Sequence, residues 1–256
     1  MRRYSSPYAS SFSFGPGPIS TALKALIGLN VLVFVVQLML PITTELFGLH
    51  PAWIVHARST IAPEHSLWVW QIATYMFLHG GIFHIVFNML ALWMFGAELE
   101  RMWGTRYFLK FYFVTGVGAG LLTVLVSLLP FGFTAPLYTA DIIGASGAIY
   151  GLLLAYALYF PDRPIYMYFV FPIPAKIFLA IMGGIAFLSS LSETGGVANA
   201  THLGGLLVAY VFLKSARMDP IAELKYRFYK WKINRVRKKF DVYSGGRADD
   251  WDRRVH

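Results

Sequence analysis

Long apolar runs separated by short polar breaks make up most of the chain. A helix needs about 20 apolar residues to cross the hydrocarbon of a bilayer. Six runs meet or approach that length, at residues 19–40, 80–99, 105–129, 144–160, 174–192 and 198–216. The second of them carries several polar residues and is the weakest on hydropathy alone. The pattern predicts an all-α, polytopic membrane protein with six transmembrane helices. Residues 1–18 read as a polar N-terminal segment, 19–216 as the membrane domain, and 217–256 as a basic tail.

Composition supports this division. The chain is 57% hydrophobic and 14% charged, where a soluble domain has roughly 25% charged residues. It has no cysteine, which excludes disulfides and thiolate metal sites. The N-terminal segment, MRRYSSPYASSFSFGPG, lacks the apolar core of a signal peptide, so the first span is expected to be an uncleaved anchor.

The net charge of +9 is distributed by side. Arg2 and Arg3 precede the first span; Arg101, Arg106 and Lys110 surround the break after the second; Arg163 and Lys176 flank the break after the fourth. The opposite connections, 41–79, 130–143 and 193–197, hold Arg58 as their one Lys or Arg. The positive-inside rule then puts both termini in the cytoplasm. In the tail, Asp219 and Pro220 resemble a helix start. Ile221, Leu224, Phe228 and Trp231 follow at helical spacing among Lys225, Arg227, Lys230 and Lys232, with Arg235, Arg237, Lys238 and Lys239 beyond. A basic amphipathic helix beside a span fits anionic lipid headgroups; a nucleic-acid partner is not expected. The last residues, SGGRADDWDRRVH, read as a disordered end.

Polar groups inside spans are costly and each requires an account. His84 and Asn88 are four apart on one helical face, and both donate hydrogen bonds while neutral, as an oxyanion site requires. A packing pair between helices is the competing reading. His79 lies five residues before His84, and the nearest carboxylates, Glu98 and Glu100, lie two to three turns away, so a metal site is not expected. Ser146 and Tyr150 share one face of the fourth span, beside Gly147 and Gly151. His202, Gly205 and Ala209 share one face of the sixth. Small residues on both helices permit close approach. All three spans enter from the outer side, so Ser146, His202, His84 and Asn88 fall in one layer. A serine needs a base to take its proton, and burial favours neutral imidazole. Together these residues supply nucleophile, base and oxyanion donors for acyl transfer. Asp141 belongs by position to the outer loop, so a Ser–His dyad is expected rather than a triad. GASGA is not the elbow of the soluble hydrolases. Nor do intramembrane carboxylates or repeated broken helices suggest a transporter.

These residues resemble the rhomboid family of intramembrane serine proteases, in the six-span form common in bacteria. The likeness rests on HGGIFHIVFN with His79, His84 and Asn88, on GASG with Gly144, Ser146 and Gly147, and on THLGG with His202 and Gly205. The stretch GAELERMWG, with Glu100 and Gly104, also fits. The resemblance implies that Ser146 is the nucleophile and His202 the base, with His84, Asn88 and the Ser146 N–H as the oxyanion hole. It implies that Tyr150 packs on the His202 ring and that Gly205 lets the sixth span approach the fourth. It also implies a loop at 41–79 lying partly in the outer leaflet, to which Trp53, Trp68 and Trp70 are suited, and a mobile fifth span. The Trp-Arg pair that some bacterial members carry in this loop is absent. The expected activity is hydrolysis of peptide bonds in or near transmembrane segments of other membrane proteins, without a cofactor, in the bacterial inner membrane. A non-proteolytic membrane-protein binder or quality-control factor on the same scaffold is the alternative.

Overall fold

The computed structural model describes residues 17–55, 68–167, 171–190, 196–217 and 235. Arg2, Arg3, Arg58 and the expected helix and disordered end of the tail, Arg235 apart, lie outside the described residues. Two compact units divide the chain, 1–213 and 214–256. Of the second, little more than Lys214–Arg217 is described.

Helix α1, Thr21–Met39, starts at Ser20, whose hydroxyl accepts the Leu23 N–H at 3.0 Å. It buries Leu23, Leu26, Asn30 and Phe34, spaced by three or four, and turns Leu29, Leu32, Val35 and Val36 outward. An apolar outer face of this kind fits lipid rather than water. Three short helices follow, α2 (Ile42–Phe47), α3 (Pro51–Val55) and α4 (Gln71–Thr74). Helices α5 (Ile82–Trp103) and α6 (Thr105–Ser127) are joined through Gly104, whose φ of 78° suits a residue without a Cβ. Helix α5 thus runs four residues beyond the expected end of the second span. Its extension carries Glu100, a buried carboxylate that accepts hydrogen bonds from Ser20 Oγ and, at 2.7 Å, Thr105 Oγ1. One side chain therefore ties the starts of α1 and α6 to the end of α5.

After the short α7 (Ala135–Tyr138), helix α8 (Ser146–Tyr159) occupies the centre and packs on α5 and α6. It is buried along most of its length because Gly147, Ala148, Gly151, Ala155 and Ala157 leave room for neighbours. At about 1.5 Å per residue its 14 residues span roughly 21 Å, less than a hydrocarbon core of about 30 Å. Helices α9 (Ala175–Ser190) and α10 (Gly196–Arg217) complete the fold, with α9 against α8. By length and apolar composition, α1, α5 and α6 are each sufficient to cross a membrane, whereas α8 and α9 are shorter apolar helices.

The all-α expectation requires one correction. The connection from α8 to α9 is an antiparallel hairpin, β1 (Pro164–Met167) with β2 (Phe171–Pro174), in the register Pro164↔Pro174. Pro164, Pro172 and Pro174 disfavour helix here, and a two-stranded hairpin tolerates their missing N–H groups. An isolated bridge also pairs Leu49 with Ile142.

Candidate active site

Ser146 is the first residue of α8, so the N–H groups of this first turn have no acceptor within the helix. The preceding Gly144 has φ 125° and donates its N–H to the Tyr75 carbonyl at 2.9 Å. A Cβ on Gly144 would lie 2.8 Å from His84 Nε2 and 3.6 Å from Ser146 Oγ. Glycine here therefore lets the His84 ring reach the space beside the serine.

His202, on α10, lies with Nε2 2.8 Å from Ser146 Oγ. Its ring stacks on Tyr150 at 4.2 Å between centroids and 7° between planes. Tyr150 is one turn beyond Ser146 on the same helix, so α8 supplies both the hydroxyl and the flat surface that orients the imidazole. The His202 Nδ1 is buried and has no hydrogen-bond partner among the described residues. Asp141 instead pairs with His50, Nδ1 to Oδ1 at 2.6 Å. Accepting the serine proton at Nε2 requires the ring proton on Nδ1. Stacking, rather than a carboxylate, fixes the ring here.

The helices approach without side chains between them. A Cβ on Gly205 would stand 2.0 Å from the Gly147 carbonyl oxygen, so α10 meets the α8 backbone directly. Gly147 and Gly151 themselves face more widely than the sequence pattern implies. A Cβ on Gly147 would meet Ala119, Tyr75 and Thr201, and one on Gly151 would meet Thr115 of α6. The small-residue stripe of α8 thus seats α6 as well as α10. Thr201, beside His202, shares a 2.9 Å hydroxyl contact with Thr123 of α6, and both are buried. Sequence reasoning missed this tie; its one signal is two threonines within small-residue runs.

His84 Nδ1 accepts the Gly80 N–H at 3.1 Å, which leaves Nε2 to carry the ring proton and donate toward the space beside Ser146. Asn88 lies one turn further along α5 and is buried; its Nδ2 donates to the His84 carbonyl at 2.7 Å. That bond uses one amide hydrogen and leaves the second. None of the described hydrogen bonds joins Asn88 to Ser146 or His202. His79 is fully buried, its ring edge-on to His84 at 5.1 Å, and its backbone N–H donates to Gln37 Oε1 at 3.0 Å. It packs behind the His84 ring rather than beside the serine. Ser146, His202, Tyr150, His84 and Gly144 are therefore gathered around one small volume, with Gly147 and Gly205 setting the helix separation.

Chemically, a hydroxyl bonded to an imidazole, next to a second imidazole N–H and an open helix N-terminus, can carry out nucleophilic acyl transfer. A rhomboid domain model matches residues 67–216. Rhomboid protein 1, mitochondrial, of Saccharomyces cerevisiae is 28% identical over 192 residues, covering 73% of this chain and 51% of the relative. Rhomboid protease GluP of Bacillus subtilis is 33% identical over 151 residues, 57% of this chain and 26% of the relative. Rhomboid protease AarA of Providencia stuartii is 29% identical over 156 residues, 54% and 53% respectively. The chain thus spans about half the length of the first of these relatives and about a quarter of the second. Since the matched domain takes in α5 to α10 and every residue of the site, the chain belongs to the rhomboid family and is an integral membrane protein.

Proposed function

We propose that this protein is an intramembrane serine endopeptidase that hydrolyses peptide bonds in or near transmembrane segments of other membrane proteins. The observation that carries the reading is the 2.8 Å contact between Ser146 Oγ and His202 Nε2, on a ring held flat by Tyr150. Relatives named as rhomboid proteases support it.

In this reading His202 Nε2 takes the Ser146 proton as Oγ attacks the scissile carbonyl. The carbonyl oxygen, now anionic, receives hydrogen bonds from His84 Nε2–H, the Ser146 N–H and the second amide hydrogen of Asn88. His202 returns the proton to the leaving amine, and an acyl-enzyme remains on Ser146. Water, deprotonated by the same imidazole, then releases the product acid and restores the serine. The open first turn of α8 adds the positive end of a helix dipole beside the oxyanion. No metal or cofactor takes part.

The six apolar segments are assigned as six spans, with both termini in the cytoplasm and residues 41–79 as a loop at the outer leaflet. Under that topology α8 begins below the outer surface, since its 14 residues are shorter than the hydrocarbon is thick. The non-helical residues 142–145 that precede it are then buried in protein, as backbone at that depth must be. We assign the bacterial cytoplasmic membrane as its location and anionic headgroups as the partner of the basic tail.

The test is cleavage of a model transmembrane substrate by purified protein in liposomes. Wild type is expected to cleave and Ser146→Ala is not. Equal turnover by both would overturn the protease reading in favour of a non-proteolytic binder of membrane proteins.

A further inference from the structure

The residues that lead into α8 are held by a device the hydrolytic mechanism does not use. Residues 142–145 belong to no helix, yet Gly144 and Ser146 must be set to within a fraction of an ångström for the chemistry above. Their backbone is pinned at two places. Leu49 and Ile142 exchange hydrogen bonds at 2.9 and 3.0 Å, and the Gly144 N–H donates to the Tyr75 carbonyl. A single bridge of this kind is marginal by itself, because isolated strand pairs have little stability in water.

The side chains on either side of the bridge supply a further tie. His50 follows Leu49, Asp141 precedes Ile142, and His50 Nδ1 lies 2.6 Å from Asp141 Oδ1. The two partners differ in character. The His50 side chain is 6% exposed, with its ring stacked on Trp53 at 3.8 Å and its backbone N–H donating to Gln71 Oε1 at 3.2 Å. Gln71 is itself buried and donates to the Glu45 carbonyl. Asp141 is 69% exposed and has His50 as its one ion-pair partner among the described residues. The anchor is thus built into the loop, and the segment before the nucleophile is what it holds.

We propose that the His50–Asp141 pair is a positioning clasp: it fixes residues 142–145 against the loop so that Gly144 meets His84 and Ser146 meets His202. Neither residue touches the reacting atoms. The part of the proposal that concerns turnover rests on the hydrolytic reading; the clasp itself does not.

Two variants of the full chain in liposomes test it, read by kinetics and by backbone hydrogen exchange. Asp141→Ala removes the acceptor from an exposed position, where folding tolerates the change. Asp141→Asn keeps an acceptor oxygen. Asp141→Ala is expected to lower kcat about tenfold with KM changed less than about twofold, because misplacement of the reacting groups is read in kcat. It is also expected to speed exchange at the Ile142 and Gly144 amides, and Asp141→Asn is expected to restore both readouts. Unchanged exchange in Asp141→Ala overturns the clasp. Faster exchange with wild-type kcat overturns its role in turnover, and equal losses in both variants overturn the contact of His50 with the side-chain oxygen at position 141 as its cause. A wild type that cleaves nothing sinks the hydrolytic reading, while exchange still decides the clasp.

Discussion

Replacing Gly205 with alanine puts a methyl group where the α8 backbone already lies. Its Cβ would stand 2.0 Å from the Gly147 carbonyl oxygen, 2.9 Å from the carbonyl carbon and 3.2 Å from Cα. Carbon and oxygen approach no closer than about 3.3 Å in ordinary contacts, so the two helices must separate locally by more than ~1 Å. No rotamer change relieves this, because all three atoms are backbone. His202 is one turn away on α10 and moves with it. A shift of that size takes its 2.8 Å contact with Ser146 beyond hydrogen-bonding range. Misplacement by about 1 Å in an active site can cost 10²-fold, and overpacking costs roughly 1–3 kcal/mol. We expect Gly205→Ala to lower kcat for a transmembrane substrate by about 10²-fold, with a lower Tm. Gly184→Ala is the control, since no atom lies within 4 Å of its Cβ position. Both changes gain about 0.5–1 kcal/mol of helix propensity, so the pair differs in packing alone. Turnover by Gly205→Ala within about threefold of Gly184→Ala would refute the argument that glycine contact sets the dyad geometry.

Three further outcomes follow from other parts of the structure. Gly144→Ala meets both a φ of 125° and His84 Nε2 at 2.8 Å, so labelling of the protein by a fluorophosphonate should slow at least about tenfold, measured by mass spectrometry. Glu100→Ala leaves Ser20 and Thr105 without their shared acceptor at the joint of α1, α5 and α6, a loss of about 1–3 kcal/mol that a fall in Tm would report. Reversing the charge of Lys238 and Lys239 should weaken binding of the 217–240 peptide to anionic liposomes; unchanged affinity would remove lipid headgroups as the tail's partner.

The sequence and the structure agree where information is local. Apolar runs locate α1, α6 and α9 to within about two residues, because a helix must hide its backbone and present apolar side chains along its whole length. The glycine faces of α8 and α10 are readable for the same reason, since helical spacing fixes which residues share a side. Long-range contacts leave no such trace. His50 is an ordinary loop histidine until the fold brings Asp141 to it across some 90 residues. The second neighbour of the α8 stripe, Thr115 of α6, is likewise invisible to spacing, which identifies a face but not its occupant. The pairing of 164–167 with 171–174 is obscured in the sequence by apolar residues that fit helix and strand alike, although Pro164, Pro172 and Pro174 carry the signal. Asn88 shows the same limit. Its position on the His84 face is set by sequence, while its bond to the His84 carbonyl is a choice of rotamer.

Activation of Ser146 by His202 is the step on which hydrolysis turns. The direct measurement is covalent labelling of the purified protein in liposomes with a fluorophosphonate, with the adduct mapped by peptide mass spectrometry. Wild type is expected to carry one adduct, on Ser146, and His202→Ala to lose it while remaining folded. Labelling at another residue, or equal labelling of wild type and His202→Ala, would contradict the account.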